Sequence, residues 1–475
     1  MALNITEQQY RTVMQSIQSR YIWLELLNYN FQTVDELSGV AVGGSITIDA
    51  NADVRRTGSI ELVVKDSTFE VQSGGKIWLD KYVRVWVGIA SLHTGEIERT
   101  NCGLYIIDAP SYSYNTSTNT LTLNLLDLMS KLTGIRNGYL KGIPTVIKAG
   151  ESIRKAIIDT LALGGFTQYV IDEPPSPGTV PNDLEFAQGS TVYDILSGLR
   201  DIYPNYEMYF NTEGVFYYKP IPTGYNDPIS ADDSLFNHIV ISEDLTTDFQ
   251  NVKNSIEVYG RTHEPAHYST ATSVSGKEIS LTIADVSAYT ADLIYGFTLT
   301  DNTGITSPTL KINSLASYPI KNDDGTSTTI QAESGEVYYC VQFKTDHWRW
   351  LGHLQAYGFA EDLNEQSPFF VGGTVGRIRL PLYDGDYANC VTDNLAQQRA
   401  EYELWKHTNL NNTLTLNVVP VYWLDVNILV EYTLKRNNIK GQYLIKNINL
   451  GLAPTDASTI QMIQYYPDTP SIISD

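Results

Sequence analysis

Residues 40–65 read VAVGGSITIDANADVRRTGSIELVVK, and this stretch decides the fold class. Apolar side chains alternate with small or polar ones on both sides of a polar segment, residues 51–56. The alternating apolar residues are Ile46, Ile48, Ile60, Leu62 and Val64. A period of two is typical of half-buried β-strands, and no helical period fits the stretch. It therefore predicts two antiparallel strands joined by a polar turn.

The length and composition indicate several packed domains. A chain of 475 residues is too long for one core, and at ~100 to 200 residues per domain we expect three or four domains. Tyr is abundant, with 32 residues, and only 18% of the residues are charged. This composition favours a well-packed, β-rich chain over a disordered one.

The charge balance argues against a nucleic acid bound to the outer surface. Acidic residues outnumber basic ones 54 to 32, for a formal net charge of −22. No run of Lys and Arg offers a stripe for phosphates. A negative protein would instead suit a conduit through which DNA passes without sticking, since a like-charged wall does not retain it. Solubility alone is the other explanation for the total charge.

Neither disulfides nor a membrane segment are expected. Cys102, Cys340 and Cys390 lie far apart, without CxxC or Cys/His ligand spacing, so we expect reduced, buried side chains. The start, MALNITEQQYRTVMQ, lacks the charged and apolar regions of a signal peptide, and no window offers ~18 uninterrupted apolar residues. We therefore expect a protein made and folded in a cytoplasm.

The first half of the chain predicts a helix, a β domain and a small α/β domain. Thr6 and Gln9 form a capping-box pattern before apolar residues at helical spacing, which predicts an amphipathic helix within residues 1–20. Strands spaced by turn signals follow within residues 21–140, as in a barrel or sandwich. Residues 141–235 predict two helices, the second capped by Ser190, a Pro-rich loop and a hairpin.

The second half predicts a second β domain with an insertion. Residues 241–261, ISEDLTTDFQNVKNSIEVYGR, form a polar connector that ends in an alternating strand. Residues 262–362 turn to Ser, Thr, Asn and Gly with short strands, which we interpret as an inserted module. Residues 363–475 predict a strand, a helix from about residue 387 to 407 that Asp384 or Asp386 can cap, and four further strands.

These segments, in this order, resemble phage tail hub proteins, the family at the centre of the baseplate of phage tails and related contractile injection systems. The opening stretch, with Arg55, Arg56 and Thr57 leading into its second strand, resembles the first barrel of the family. The α/β domain resembles the lysin-motif-like domain of tail hubs, and NVKNSIEVYGR stands where the hub chain enters its second barrel. The insertion, with PTLKINSLASYPIK and HWRWLG, resembles a small β module recurrent in phage tail and fibre proteins.

The resemblance implies a mainly β fold with a small α/β domain. Two tail-tube-like antiparallel β-barrels would comprise residues 21–140 and residues 236–261 with 363–475. The α/β, lysin-motif-like domain would comprise residues 141–235, and the inserted β module residues 262–362.

The resemblance also implies a structural role in the virion. Three chains would supply six barrels around a channel, a trimeric and pseudo-hexameric ring that joins the sixfold tail tube to a threefold spike or fibre. The partners would be two further copies, a tail tube or distal tail protein above, and a spike or fibre protein below. The tape measure protein is a further candidate partner, and genomic DNA would pass through unbound. The protein would be assembled in the bacterial cytoplasm and reside in the phage tail.

No catalytic, cofactor or metal site is expected. The sequence contains no GxSxG or HExxH pattern and no Cys in a context that suggests activation by His. His263 and His267 have Pro265 between them, which argues against a metal-binding helix. The carboxylate pairs Asp384 with Asp386 and Glu401 with Glu403 are better explained as a helix cap and a solvated helix face than as a glycosidase pair. A cell-wall hydrolase is the weakest of three functional hypotheses.

Two pairs of residues are candidate binding positions. Trp348 and Trp350, next to His347, could stack on a sugar, which would make the protein a carbohydrate-binding tail adhesin acting through the inserted module; alternatively they pack the core of that module. Arg55 and Arg56 could contact the carboxylates of a neighbouring subunit, or they could be solvated at the end of a strand.

Overall fold

The computed structural model describes residues 5–38, 41–142, 145–181, 183–203, 205–222, 227–299, 304–331, 333, 337–408 and 411–465. Thirty strands and five α-helices lie in these residues, so the prediction of a mainly β chain is confirmed. None of the helices in these ranges is long and apolar enough to cross a membrane. The three cysteines are free and buried, as predicted.

The chain begins with one short helix and seven strands. Their bounds are α1 Glu7–Val13, β1 Arg20–Leu27, β2 Thr33–Ser38, β3 Ala41–Asp49, β4 Arg56–Val63, β5 Tyr82–Ala90, β6 Ile97–Tyr114 and β7 Asn119–Asp127. The predicted capping box is present, since the Gln9 main-chain N–H donates to the Thr6 hydroxyl over 3.1 Å. The helix is shorter than the predicted range of 1–20, of which residues 1–4 lie outside the described residues. Strands β3 and β4 confirm the alternation of the opening stretch, of which residue 40 also lies outside the described residues.

The α/β part follows as two helices on two small sheets. Its elements are β8 Thr145–Ile147, α2 Ile153–Leu163, β9 Tyr169–Ile171, β10 Leu184–Phe186, α3 Val192–Arg200, β11 Tyr206–Phe210 and β12 Phe216–Pro220. Strand β12 pairs with β11 antiparallel and with β9 parallel, and β10 pairs with β8. Thr191, rather than the predicted Ser190, caps α3. The core of this part is continuous with the first strands, because Leu27, Leu104 and Leu128 belong to the same cluster as Ile153 and Phe210.

The remaining elements complete the chain. They are α4 Asp233–Ile239, β13 Val240–Asp248, β14 Ser255–Thr262, β15 His267–Tyr268, β16 Ala271–Ser275, β17 Glu278–Thr282, β18 Ile294–Leu299, β19 Gly304–Thr306, β20 Thr309–Ile312, β21 Tyr318–Lys321, β22 Thr329–Gln331, β23 Val337–Phe343, β24 Trp348–His353, β25 Gln355–Glu361, β26 Arg379–Leu382, α5 Asp393–His407, β27 Asn411–Val418, β28 Leu429–Thr433, β29 Lys440–Gly451 and β30 Ser458–Tyr465.

The two predicted β domains share one twelve-stranded sheet. Its order is β13-β27-β30-β29-β3-β4-β7-β6-β5-β1-β2, with β28 also paired to β29. Five strands of each half follow the same order: β3-β4-β7-β6-β5 in what we name the first unit, and β13-β27-β30-β29-β28 in the second unit. A short antiparallel ladder between β29 and β3 joins the units, and a single apolar core contains residues of both.

Strand β14 and helix α5 lie outside this sheet, which corrects our grouping of them with the second barrel. Strand β14 pairs with β25 and β26 in a separate three-stranded sheet, and α5 packs on that sheet through Ala396 and Ala400. Because β25 pairs with β14, it belongs to this sheet and not to the inserted module. The helix begins at Asp393 and is capped by Thr392. Asp384 instead precedes a short 3-10 turn and makes no capping hydrogen bond, and the side chain of Asp386 lies outside the described residues.

The inserted module contains β15–β24, between β14 and β25. Eight of these strands form one sheet, in the order β15-β18-β23-β24-β21-β20-β17-β16, and β19 pairs with β22. The module has its own apolar core, in which Ile279, Tyr295, Leu310 and Trp348 are buried. It therefore folds around side chains of its own.

Contact between α5 and its sheet depends on a glycine. A Cβ at Gly358 would lie 2.2 Å from the main-chain carbon and oxygen of Ala396. We expect Gly358→Ala to push the helix away and to destabilise the protein by about 1–3 kcal/mol, as overpacking does. Thermal unfolding followed by circular dichroism measures the change. The control is Gly43→Ala, whose Cβ would have only ordinary contact, 3.6 Å from Ala453; equal midpoints for the two variants would contradict this account.

Candidate functional site

Two adjacent arginines end the turn between β3 and β4. The turn closes where the main-chain N–H of Asp49 donates to the carbonyl of Arg55 over 2.9 Å. Both Arg55 and Arg56 are buried, with 5% and 2% of their surface exposed. Removing a guanidinium from water is costly unless charged and polar partners replace the solvent. Each arginine therefore requires partners inside the protein.

Arg55 contacts two distant parts of the chain. Its Nη1 donates to Oε2 of Glu207 over 2.7 Å, and its Nη2 donates to the carbonyl of Val426 over 2.9 Å. Nη2 also lies 3.5 Å from Oδ1 of Asp425. The guanidinium stacks 3.8 Å from the ring centre of Tyr209. Because Glu207 lies on β11 and Asp425 between β27 and β28, Arg55 joins the α/β part to the second unit.

Arg56 contacts the same two parts from the next position. Its Nη1 donates to the carbonyl of Phe210 over 2.8 Å, and its Nη2 pairs with the carboxylate of Asp425. Its main-chain N–H donates to Oδ2 of Asp127 over 2.8 Å, at the end of β7. Asp425 therefore lies between the two arginines and binds both.

Further polar side chains extend the contacts around Glu207. Nδ2 of Asn427 donates to Oε2 of Glu207 over 2.6 Å, and Nζ of Lys219 lies 3.3 Å from Oε1. Nζ of Lys446, on β29, donates to Oδ1 of Asn427 over 2.9 Å. We name this set the charge cluster; its members are Arg55, Arg56, Asp127, Glu207, Lys219, Asp425, Asn427 and Lys446.

Burial and charge act against each other in the charge cluster. Burial alone would lower the pKa of Arg55, but the charges of Glu207 and Asp425 outweigh it and raise the pKa above the ordinary value. Burial alone would raise the pKa of Asp425, and the two arginines bring it below the ordinary range. Burial raises the pKa of Asp127 to about 6 and lowers that of Lys446 to about 8. Arg55 and Asp425 thus stay charged, and the contacts of both arginines with Asp425 hold three parts of the chain in one arrangement.

The charge cluster corrects the expectation for the two arginines. We expected Arg55 and Arg56 either to be solvated or to meet carboxylates of a neighbouring subunit, whereas both are buried and the carboxylates come from their own chain. Glu207 and Asp425 were not identified, since they lie 152 and 369 positions away from their arginines. The one available signal was an acidic residue within the aromatic strand YEMYF.

Helix α5 carries a second buried charge. Glu403 is 1% exposed, so our interpretation of Glu401 and Glu403 as a solvated helix face is wrong for Glu403. Nε of Arg399, Nζ of Lys406 and Nε2 of His407 lie 3.3, 3.4 and 3.6 Å from its carboxylate. Burial alone would raise the pKa of Glu403, but His407, Lys406 and Arg399 lower it to about 2.

The two tryptophans of the inserted module differ in exposure. Trp348 is fully buried, and its Nε1 donates to the carbonyl of Leu310 over 3.0 Å. The centre of its ring lies 5.0 Å from that of Tyr289 and 4.9 Å from that of Phe343. It therefore packs the core of the module and presents no face to a sugar. Trp350 is half-buried and stacks on Tyr339 with the ring centres 5.6 Å apart.

The exposed rings of the module lie elsewhere. An open cleft of about 400 Å³ is lined by Tyr268, Ser269, Phe297, Tyr338 and Leu354. The rings of Tyr268 and Tyr338 meet edge to face at 6.4 Å, and each residue is 46% exposed.

The two histidines considered as metal ligands have other surroundings. His263 is buried, which lowers its pKa to about 4. His267 stacks on Tyr295, with ring centres 5.6 Å apart. Across the described ranges, no group of three or more His, Cys, Asp or Glu side chains is placed to hold a metal ion.

Breaking the charge cluster should be costly. Arg55→Met removes the guanidinium that Glu207 and Asp425 share, so Glu207 keeps only Lys219 as a charged partner and Asp425 keeps only Arg56. Removing one member of a buried ion pair typically costs about 3–5 kcal/mol. We expect a loss of that size in the free energy of unfolding, measured by denaturant titration. Arg154→Met is the matched control, because the pair of Arg154 with Glu173 is largely exposed and should contribute less than about 1 kcal/mol. Equal denaturation midpoints would show that the charge cluster does not stabilise the fold.

Glu403 should make stability depend on pH in a defined direction. Its pKa in the folded protein is about 2 against an ordinary 4.5, so its contribution is present above pH ~4.5 and is lost as the pH falls through ~2. We expect Glu403→Gln to cost about 3 kcal/mol at pH 7 and less than about half of that at pH 3. Glu401→Gln is the control, since Glu401 is half-exposed and accepts from Gln397 over 2.9 Å. A cost of Glu403→Gln that stayed constant from pH 7 to 3 would contradict the ion-pair account.

Comparisons with known sequences are sparse. A family model described as Domain of unknown function DUF5048 matches residues 366–468, which include β26, α5 and the last four strands. No curated protein sequence matches the chain significantly.

Comparisons with solved structures show the fold. The chain is similar to the 43 kDa tail protein of prophage MuSo2 from Shewanella oneidensis, with 12% identity over 95% of this chain and 99% of that one and a TM-score of 0.53. It is also similar to the tail protein from Neisseria meningitidis MC58, with 10% identity over 94% and 99% of the two chains and a TM-score of 0.50. The resemblance to tail proteins is thus confirmed in the fold: the chain has the fold of phage tail proteins over nearly its whole length.

Proposed function

We propose that the protein is a structural hub of a phage tail. Three copies form a ring that joins the sixfold tail tube to a threefold spike or fibre and encloses the channel for DNA. The role is assembly and conduction, and no bond is made or broken.

The observation that carries the proposal is the repetition of one strand order within the chain. The first unit, β3-β4-β7-β6-β5, and the second unit, β13-β27-β30-β29-β28, present the same five-strand arrangement side by side. Three chains then provide six such units. A closed ring requires each interface to repeat compatibly, and two similar units per chain let a threefold assembly meet a sixfold one. The likeness to tail proteins over nearly the whole chain supports the same role.

The charge cluster supports a rigid ring component. It holds the first unit, the α/β part and the second unit together through Arg55, Arg56 and Asp425. A partly broken buried network is worse than none, so these three parts keep one relative arrangement. A ring that joins a threefold spike or fibre to a sixfold tail tube needs units whose spacing does not vary.

The partners follow from this position in the tail. One face of the ring meets a tail tube or distal tail protein, and the opposite face meets a spike or fibre protein, with the tape measure protein as a further partner. The net charge of −22 suits a channel wall that is neutral to negative, past which DNA slides without binding. The ring is assembled in the bacterial cytoplasm and resides in the virion.

The mass of the purified protein in solution tests the proposal. We expect light scattering to give three times the 53.0 kDa of one chain, and negative-stain images to show a ring with a central channel. The measurement is repeated up to the highest soluble concentration, because ring closure depends on concentration. A protein that stays at the mass of one chain throughout that range would contradict a self-assembling ring.

A further inference from the structure

We propose that copies of the chain join edge to edge, by antiparallel hydrogen bonding between residues 108–114 of β6 in one copy and β13 in the next. This inference rests on the proposed ring and names the contact that closes it. The partner of β6 at this edge, and likewise the partner of β13, is thus a second copy of the same chain.

The two units match position by position along their first strand. Strand β3 pairs with β4 from Ala41 with Leu62 to Ile48 with Arg56, with an irregularity between Ala41 and Gly43. Strand β13 pairs with β27 from Val240 with Val418, with an irregularity between Val240 and Ser242. Aligning these bulges makes residues 41–49 equivalent to residues 240–248. The bulged residues, Val42 and Ile241, are both exposed apolar side chains.

The match continues on the long strand of each unit. Strand β6 leaves its partner β5 at Ile106 and has a bulge between Ile107 and Pro110. Strand β29 leaves its partner β28 at Leu444 and has a bulge between Ile445 and Asn447. Bulges re-aim a strand and are specific features of a fold. Residues 108–113 of β6 are therefore equivalent to residues 446–451 of β29.

The joint inside the chain shows how these equivalent edges pair. Beyond its bulge, β29 bonds to β3 of the first unit, with Ile448 opposite Ile48, Asn449 opposite Thr47 and Leu450 opposite Ile46. Transferring this ladder to the equivalent positions predicts the contact between copies. Its register places Ser111 opposite Thr246 and Tyr112 opposite Leu245 of the next copy.

The edges that would form the second joint are open. Strand β13 ends the sheet, and in the described part of the chain β6 beyond Ile106 pairs only with β7. Exposed strand edges are templates for another strand. Side-chain exposure also distinguishes the formed joint from the open edge. Leu450 and Ile46 are 1% and 0% exposed inside the formed joint, whereas Tyr112 is 44% exposed. Tyr112 occupies the place of Leu450, so its ring would be covered by the next copy.

The same contact repeated between units generates a closed assembly. Within a chain the long strand of the second unit bonds to the first strand of the first unit, and between chains the long strand of the first unit bonds to the first strand of the second unit. Such a head-to-tail contact forms a ring when its rotation closes. Every unit then has two neighbours through equivalent ladders.

Cysteine cross-linking tests both the contact and its register. Ser111→Cys with Thr246→Cys places two exposed positions opposite each other, with Cα atoms ~4.5–5.5 Å apart as in any antiparallel pair, which is within the Cα separation that a disulfide spans. We expect oxidation to shift the protein from 53.0 kDa to twice and three times that mass on non-reducing gels, reversibly with reductant. Mixing the two single variants should give only the doubled mass. The native cysteines do not compete, because all three are buried, which raises the pKa of Cys102 and Cys340 to about 12 and that of Cys390 to about 11.

The matched control shifts one partner along the same face of β13. Ser111→Cys with Ser242→Cys separates the two positions by four residues, ~13 Å along the strand, so little cross-linking is expected. The mass of each sample before oxidation reports on the ring itself. A trimer that does not form the in-register cross-link overturns the edge contact but not the ring. The same holds for a trimer in which the control pair cross-links equally. Cross-linked chains that never close into trimers support the edge contact and overturn the trimeric ring, and monomers without cross-links overturn both.

Discussion

Five consecutive pairs between β3 and β29 are the contact on which the arrangement of this chain depends. They connect residues 45–49 with residues 447–451 and turn two sets of strands into one twelve-stranded sheet. Main-chain hydrogen bonds alone would allow such strands to slip. The register is set because Ile46, Ile48, Ile448 and Leu450 must all face the core, and a shift of either strand by one residue would turn its two apolar side chains away from the core.

The charge cluster lies next to this ladder and restricts how the first unit, the α/β part and the second unit can be arranged relative to one another. The turn after β3 carries Arg55 and Arg56 into the interior, where they meet Glu207 and Asp425. Buried ion pairs add little net stability against an apolar alternative, but a misplaced buried charge is costly. The cluster therefore selects one arrangement of the first unit, the α/β part and the second unit. For the proposed ring, whose units would have to be evenly placed, this selectivity would matter more than stability.

The inserted module and the sheet of β14, β25 and β26 belong neither to the twelve-stranded sheet nor to the charge cluster. Each has its own apolar core, around Trp348 in the module and around Ala396 and Ala400 under α5. Trp348 and Trp350 alternate on one strand, a pattern that fits either a binding surface or a core. Only the packing of Tyr289 and Phe343 against Trp348 decided for the core. The sheet of β14 was assigned wrongly, because a strand's sequence shows that it pairs without showing with which strand.

The sequence by itself determined the class of the fold, because the period of two in β3 and β4, the cap at Thr6 and the burial of the cysteines are local properties of residue type and spacing. It also determined the order of the segments, on which the likeness to tail proteins rests. The tertiary structure alone decided the partners of Arg55 and Arg56, the burial of Glu403 and the pairing of β14 with β25. These depend on contacts between residues up to several hundred positions apart, and nothing in the local pattern records which distant strand supplies a hydrogen bond or a carboxylate.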